Sequence, residues 1–308
     1  MINVCSKSNR DDMPEIAERL LSAINDWYSR GDLDVGPNTI TYNSVINCWS
    51  KVKNRQVASE APKRCLELLL IMISTYQDDP QTNYDIRPDI ITYNTIMNIN
   101  AQQGDIKGAV TVFNMMKKDY QSGSRNNNNA KPNIASYTIL INAWSKSNTR
   151  DAPIEAESLL LEMLDLYSKG LLNESPNTIV YSSVINCWSK SDRIEGPKRA
   201  LDILTTMITK YDDFVSSSST EDDDEGSNNI NNNINNNNVR PDTITFNSVM
   251  NAYAKRGDIM GCNKVFDIMK KEYRRGNINA KSDVRTCNIL IDAWSKSGND
   301  KAPEEAGK

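Results

Sequence analysis

A fifteen-residue segment at 37–51, PNTITYNSVINCWSK, returns at 176–190 as PNTIVYSSVINCWSK. Looser copies open at Pro88 (PDIITYNTIMNINAQ), Pro132 (PNIASYTILINAWSK), Pro241 (PDTITFNSVMNAYAK) and Ser282 (SDVRTCNILIDAWSK). Six copies in one chain mean an array of like units, each packed on its neighbours, and that limits the fold more than any composition figure. The common plan is Pro, Asn or Asp, a β-branched stretch, an aromatic, a small polar residue, and then an apolar run.

The period of the apolar run is helical. Tyr42, Val45, Ile46 and Trp49 fall at spacings of three, four and seven, one stripe of a first helix. A polar turn follows, SNTRDA at 147–152 or QQGD at 102–105. The second helix often opens on Pro (Pro14, Pro62, Pro153, Pro197, Pro303), at a position where the missing N–H has no intrahelical acceptor anyway. It continues apolar through Ala109, Val112, Phe113 and Met116 in one copy, and through Val265, Phe266 and Met269 in another. Neither helix carries enough apolar surface to fold alone, so stacking must supply the core.

These signals divide the chain into a partial repeat at 1–38, repeats at 39–89, 90–133, 134–177, 178–242 and 243–283, and a partial repeat at 284–308. Two repeats ending their first helix in WSK or a variant alternate with one carrying a Gly-Asp-Ile turn, which points to duplication of a three-repeat block. Residues 2–18 align with 141–157 in mid-repeat, so the chain reads as a piece of a longer array. Residues 216–238, SSSSTEDDDEGSNNINNNINNNN, interrupt the block spacing. Polar, acidic and Asn-rich, the insert has too little apolar surface to order itself and is expected to be disordered. A smaller Asn run lies at 126–129.

Charge is uninformative about nucleic acid. The formal net charge is −4, but residues 221–225 (EDDDE) carry −5, so the repeats are near neutral. The chain has no His, the commonest general base and metal ligand, and its six Cys form no CxxC pair. Cys48 and Cys187 sit beside Trp49 and Trp188 in equivalent places, as small apolar residues of a packed helix, and a reducing compartment fits. No metal or cofactor is expected. No run reaches the roughly 18 apolar residues of a membrane span, and residue 1 opens no secretory or transit segment.

The pattern PDxxTYNxxIN…GDIxGAxxVFxxMKK resembles the pentatricopeptide repeat, and the resemblance covers essentially the whole chain. Tetratricopeptide repeats, the nearest helical-hairpin relative, lack the Pro-Asx lead-in and the Thr-Tyr-Asn opening. The resemblance implies an all-α, right-handed superhelical solenoid of helix-turn-helix repeats that binds single-stranded RNA, one base per repeat. It also implies two base-reading side chains per repeat: the residue after the aromatic of the first helix, and the Asx that follows the closing Pro.

Carried over, the pairs are Asn43 with Asp89 (uracil), Asn94 with Asn133 (a pyrimidine, cytosine first), Thr138 with Asn177 (adenine), Ser182 with Asp242 (guanine), and Asn247 with Asp283 (uracil). Read 5′ to 3′ this is U-Y-A-G-U, with Y a pyrimidine. The residues that would sandwich the bases are Ile40, Ile91, Ala135, Ile179 and Ile244. Arg285 stands at that place in the last copy, and Asn38 and Asn288 would pair with residues beyond the chain.

Other readings of the same residues stay open. An Asx before a helix is an ordinary N-cap. The aromatics Tyr42, Tyr93, Tyr137, Tyr181 and Phe246, and the tryptophans, fit a core between helices. Capping does not account for the small polar set after the aromatic: Asn, Asn, Thr, Ser, Asn.

The expectation is a monomeric, non-catalytic RNA adaptor of a mitochondrion or plastid, acting in RNA processing, stability or translation. Protein partners are possible under the alternative of a protein-interaction scaffold. An enzymatic role would need residues outside this chain, since no HxE…CxxC zinc site is present.

Overall fold

The computed structural model describes residues 2–5, 7–8, 10–78, 86–122, 128–147, 149–218 and 239–297. The chain divides into two compact units, Met1–Ala143 and Trp144–Lys308. Among the described residues all regular structure is helical.

In the first unit α1 (Ile2–Cys5) and α2 (Met13–Ser29) precede α3 (Thr39–Ser50), a short α4 (Arg55–Ala58), α5 (Ala61–Asp78), α6 (Ile90–Gln102) and α7 (Ile106–Ser122). Helix α8 (Ile134–Lys146) ends at the start of the second unit. That unit continues with α9 (Ala152–Ser168), α10 (Thr178–Lys190), α11 (Gly196–Ser218), α12 (Thr243–Ala254), α13 (Ile259–Arg274) and α14 (Val284–Lys296). First helices begin at Thr39, Ile90, Ile134, Thr178, Thr243 and Val284. Helix α11 carries 216–218, the start of the Asn-rich insert. The rest of the insert, residues 126 and 127 of the run at 126–129, and Pro303 lie outside the described residues.

Each first helix starts because its Asx can bond the exposed N–H groups of the first turn. Asn38 accepts from Thr41 N at 3.0 Å, Asp89 from Thr92 N at 2.8 Å, Asn133 from Ser136 N at 3.1 Å, and Asn177 from Val180 N at 3.2 Å. Asp242 and Asp283 accept from Thr245 N and Thr286 N, both at 2.8 Å. Such a cap contributes about 1 kcal/mol. Second helices start in two ways. Pro14, Pro62, Pro153 and Pro197 occupy the first turn of α2, α5, α9 and α11. In the Gly-Asp-Ile repeats the Asp does the capping, with Gly108 N on Asp105 Oδ1 and Gly261 N on Asp258 Oδ1, each at 2.8 Å. The preceding Gly257 has φ +65°, and a Cβ there would lie 2.7 Å from the carbonyl oxygen of Lys296, so only glycine fits the turn.

Successive first helices pack on one another, α3 on α6, α10 on α12 and α12 on α14, with second helices alongside. The core is the helical stripe: Tyr42, Val45, Ile46, Cys48 and Trp49 of α3 are buried, as are Ala109, Val112, Phe113 and Met116 of α7. Tyr93, Tyr137, Tyr181 and Phe246 are buried too, so these aromatics fill the interior between helices. No helix among the described residues is long and apolar enough to cross a membrane.

Polar latches tie repeat to repeat. Thr39 Oγ1 donates to the carbonyl of Arg87 at 2.7 Å, Thr178 Oγ1 to that of Arg240 at 3.1 Å, and Thr243 Oγ1 to that of Lys281 at 2.6 Å. Trp49 Nε1 donates to Glu18 at 2.8 Å, and Glu18 also holds Arg64. Trp188 Nε1 donates to Glu157 at 2.8 Å, and Arg199 reaches the other carboxylate oxygen at 2.5 Å. Each carboxylate thus joins three helices. Lys190 Nζ meets the carbonyl of Ser145 at 3.1 Å and Lys255 Nζ that of Ser189 at 3.2 Å, cations placed on the C-terminal carbonyls of the preceding first helix.

Candidate nucleic-acid interface

The candidate interface is built at the N-terminal turns of the first helices. One turn supplies an apolar side chain at its second position and a polar one three residues later, on the same helix face. Ile40, Ile91, Ile179 and Ile244 hold that second position and are 73%, 60%, 59% and 64% exposed; Ala135 and Arg285 are also exposed. A branched aliphatic side chain kept in water by the fold, at one place in four repeats, is an unfilled apolar contact surface. Beside each of these four lies its polar neighbour: Asn43, Asn94, Ser182 or Asn247.

Asn43 Nδ2 donates to Asp89 Oδ1 at 3.1 Å, and Asn43 Oδ1 accepts from Thr92 Oγ1 at 2.6 Å. The Asp89 oxygen that receives the amide is the one that caps α6. The same triangle recurs in the second unit, with Asn247 Nδ2 on Asp283 Oδ1 at 3.2 Å and Thr286 Oγ1 on Asn247 Oδ1 at 2.8 Å. Donation by the Thr286 N–H, by its hydroxyl hydrogen (shared between Asp283 Oδ1 at 2.9 Å and Asn247 Oδ1) and by Asn247 holds the Asp283 carboxyl below the usual carboxylate range. Ser182 is joined to Asp242 through Thr245: the two hydroxyls are 2.7 Å apart, and Thr245 Oγ1 is 2.7 Å from Asp242 Oδ1.

The remaining residues differ. Asn133 spends its Oδ1 on Ser136, through N–H and hydroxyl, and Asn94 Oδ1 is buried with no hydrogen-bond partner. Thr138 Oγ1 bonds the carbonyl of Ile134 on its own helix at 2.6 Å, while Asn177 caps α10 in the other unit. Asn43 is half-buried, whereas Asn247 is only 3% exposed, so equivalent places in two repeats offer unequal access.

Chemically, these triangles leave an oriented amide or hydroxyl next to a carboxylate, flanked by an exposed aliphatic wall. That arrangement can hydrogen-bond a planar polar edge and cover its face. The repeat pattern does not single out the threonines Thr92, Thr245 and Thr286 for function. The signal is their place at the third helical position, where the hydroxyl reaches the previous repeat and, in Thr92 and Thr286, also completes a capping box.

Residues 241–296 match the PPR repeat family, and residues 79–147 match the pentatricopeptide repeat domain. A stretch of 92 residues, 30% of the chain, is 32% identical to a pentatricopeptide repeat-containing protein of Arabidopsis thaliana and covers 13% of it. Among solved structures, that of the maize pentatricopeptide repeat protein PPR10 is similar at TM-score 0.41 and 16% identity, over 97% of this chain and 41% of that one. A structure of PPR10 with an 18-nt psaJ RNA element is similar at TM-score 0.34 and 17% identity, over 100% and 42%. The chain spans less than half the length of each.

Proposed function

We propose that this chain, a pentatricopeptide repeat protein, binds single-stranded RNA with one base per repeat and a preference for U-Y-A-G-U. The observation that carries this reading is the recurrence of one triangle in two repeats, Asn43–Asp89–Thr92 and Asn247–Asp283–Thr286, each beside an exposed isoleucine. In each pocket the Asn or its counterpart meets the Watson–Crick edge. Asp89 steadies Asn43 and Asp283 steadies Asn247, and Ile40, Ile91, Ala135, Ile179 or Ile244 covers the base. Helical-repeat RNA binders, this family among them, read bases in this way. Face-on contact of this kind is worth roughly 1–3 kcal/mol per base on aromatic platforms, and less on aliphatic ones.

The repeats at 39–89, 90–133, 134–177, 178–242 and 243–283 are the reading units. The protein acts as a monomeric adaptor in mitochondrial or plastid RNA processing, stability or translation, and the chemistry of any processing step lies outside these residues. Fluorescence anisotropy at low salt tests the binding, using labelled RNA containing UCAGU against the same bases in scrambled order. Tighter binding to the ordered RNA supports the reading. No binding to either would refute it and move the function to a protein scaffold.

A further inference from the structure

We propose that Thr92 is a positioning residue for base recognition: its hydroxyl fixes the sense and plane of the Asn43 amide, and with them the choice between uracil and cytosine. Thr286 holds Asn247 in the same way. The inference rests on the RNA-reading function proposed above.

The argument begins with which atoms can face each other. An ionised carboxylate only accepts, so the atom of Asn43 that lies 3.1 Å from Asp89 Oδ1 has to be Nδ2. The other amide atom, Oδ1, is then the one 2.6 Å from Thr92 Oγ1, and two oxygens approach so closely only when one donates. The threonine hydroxyl is the only donor of the two, and it shares its one hydrogen between Asn43 Oδ1 and Asp89 Oδ1, the latter 2.8 Å away. Its lone pairs meanwhile accept from the Asp89 N–H at 3.2 Å, so the hydroxyl is held from both sides. One contact alone would leave the amide free to swing about its side-chain torsions. Two contacts on its two different atoms fix it.

A fixed amide retains one N–H and one oxygen lone pair for a ligand, in a set order. Uracil and cytosine present opposite orders along the shared edge, an N–H beside a carbonyl in one and a ring nitrogen beside an amino group in the other. An amide held in one sense therefore separates them, and an amide free to turn accepts both.

The chain contains its own comparison. The third helical position holds Thr41, Thr92, Thr245 and Thr286, but Ser136 and Val180 elsewhere. The Ser136 hydroxyl bonds only within its own cap, to Asn133 at 3.2 Å, and Asn94 Oδ1 is left buried without a partner. Serine lacks the branching methyl that stiffens threonine at χ1. Asn94, assigned to a pyrimidine with cytosine first, is thus the one whose Oδ1 no hydroxyl holds, and its partner is Asn133 where Asn43 and Asn247 have Asp.

The test is Thr92→Val, compared with Thr41→Val in competition binding of RNAs that differ only in U or C at the first position of U-Y-A-G-U. Valine is native at this place in α10, where Asn177 still caps Val180, so the substitution is accommodated. Thr41 makes the same capping box with Asn38 but reaches no base-reading residue of this chain, and so controls for loss of the cap. Thr92→Val is expected to reduce the uracil-over-cytosine ratio about tenfold, the discrimination of one well-made base-edge pair, with Thr41→Val unchanged. An unaltered ratio in Thr92→Val, or equal losses for all RNAs in both variants, overturns the inference. A parent protein without any uracil preference overturns the function reading itself, and this inference with it.

Discussion

Asn43 and Asp89, 46 residues apart in the chain, meet through a 3.1 Å hydrogen bond between the side-chain amide of one repeat and the helix cap of the next. Capping and the proposed recognition therefore share one oxygen. A substitution at Asp89 would disturb both the start of α6 and the pocket, and tests of base reading belong on the other member of each pair.

The carboxylate of Glu157 gives a stability prediction. It is buried, accepts from Trp188 Nε1 and pairs with Arg199, whose guanidinium is about half exposed. Glu157→Ala strands a buried indole N–H and one arginine, and is expected to cost about 2 kcal/mol, read as a lower urea midpoint. Trp188→Phe, which removes the donor and keeps most of the apolar surface, should cost less. Equal stability of Glu157→Ala and the parent would show that the three-helix junction contributes nothing.

Thiol chemistry should follow burial. Removal from water disfavours the thiolate and pushes Cys48 up to about 11 and Cys187 and Cys262 up to about 12; burial raises Cys65 as well. Cys287 is exposed. Maleimide at neutral pH is expected to label Cys287 first in the native protein and the other five only after denaturation, as mass spectrometry of digests would show. Rapid native labelling of Cys48 or Cys187 would contradict the packing around Trp49 and Trp188.

Replacing residues 219–238 with a short linker is expected to preserve helicity and RNA affinity. The segment follows a second helix, where the block spacing already tolerates an insertion, and residues 221–225 carry five negative charges away with them. Affinity at low salt should rise, because an acidic run repels a polyanion within about a Debye length. Lower helicity, measured by circular dichroism, or weaker binding would assign the segment a structural role.

Much of the fold was legible because each repeat writes its own boundaries. The Pro-Asx pairs before Thr39, Ile90 and Thr243 coincide with observed helix starts, and the stripe Tyr42–Val45–Ile46–Trp49 is the buried face. Helix α4 was not legible, since its four residues depend on a local cap by Asn54 and carry no periodicity. The Thr92 and Thr286 contacts were not legible either. They join residues 49 and 39 positions apart, and only the register of two stacked helices brings them within reach. Asn43 and Asn247 stand in the same motif, yet one is half-buried and the other buried, a difference set by packing that no repeat pattern encodes.

The central claim is that individual repeats read individual bases, and Thr138 tests it most directly. Its hydroxyl is occupied by the carbonyl of Ile134 on its own helix, so Thr138→Asn should change stability little. The measurement is competition binding of parent and variant to RNAs that differ only at the third base of U-Y-A-G-U. The parent is expected to prefer adenine there and the variant a pyrimidine, with a switch of about 1–3 kcal/mol and no change at the other four positions. The same preference in both proteins, in a chain that binds RNA, would contradict base-by-base reading.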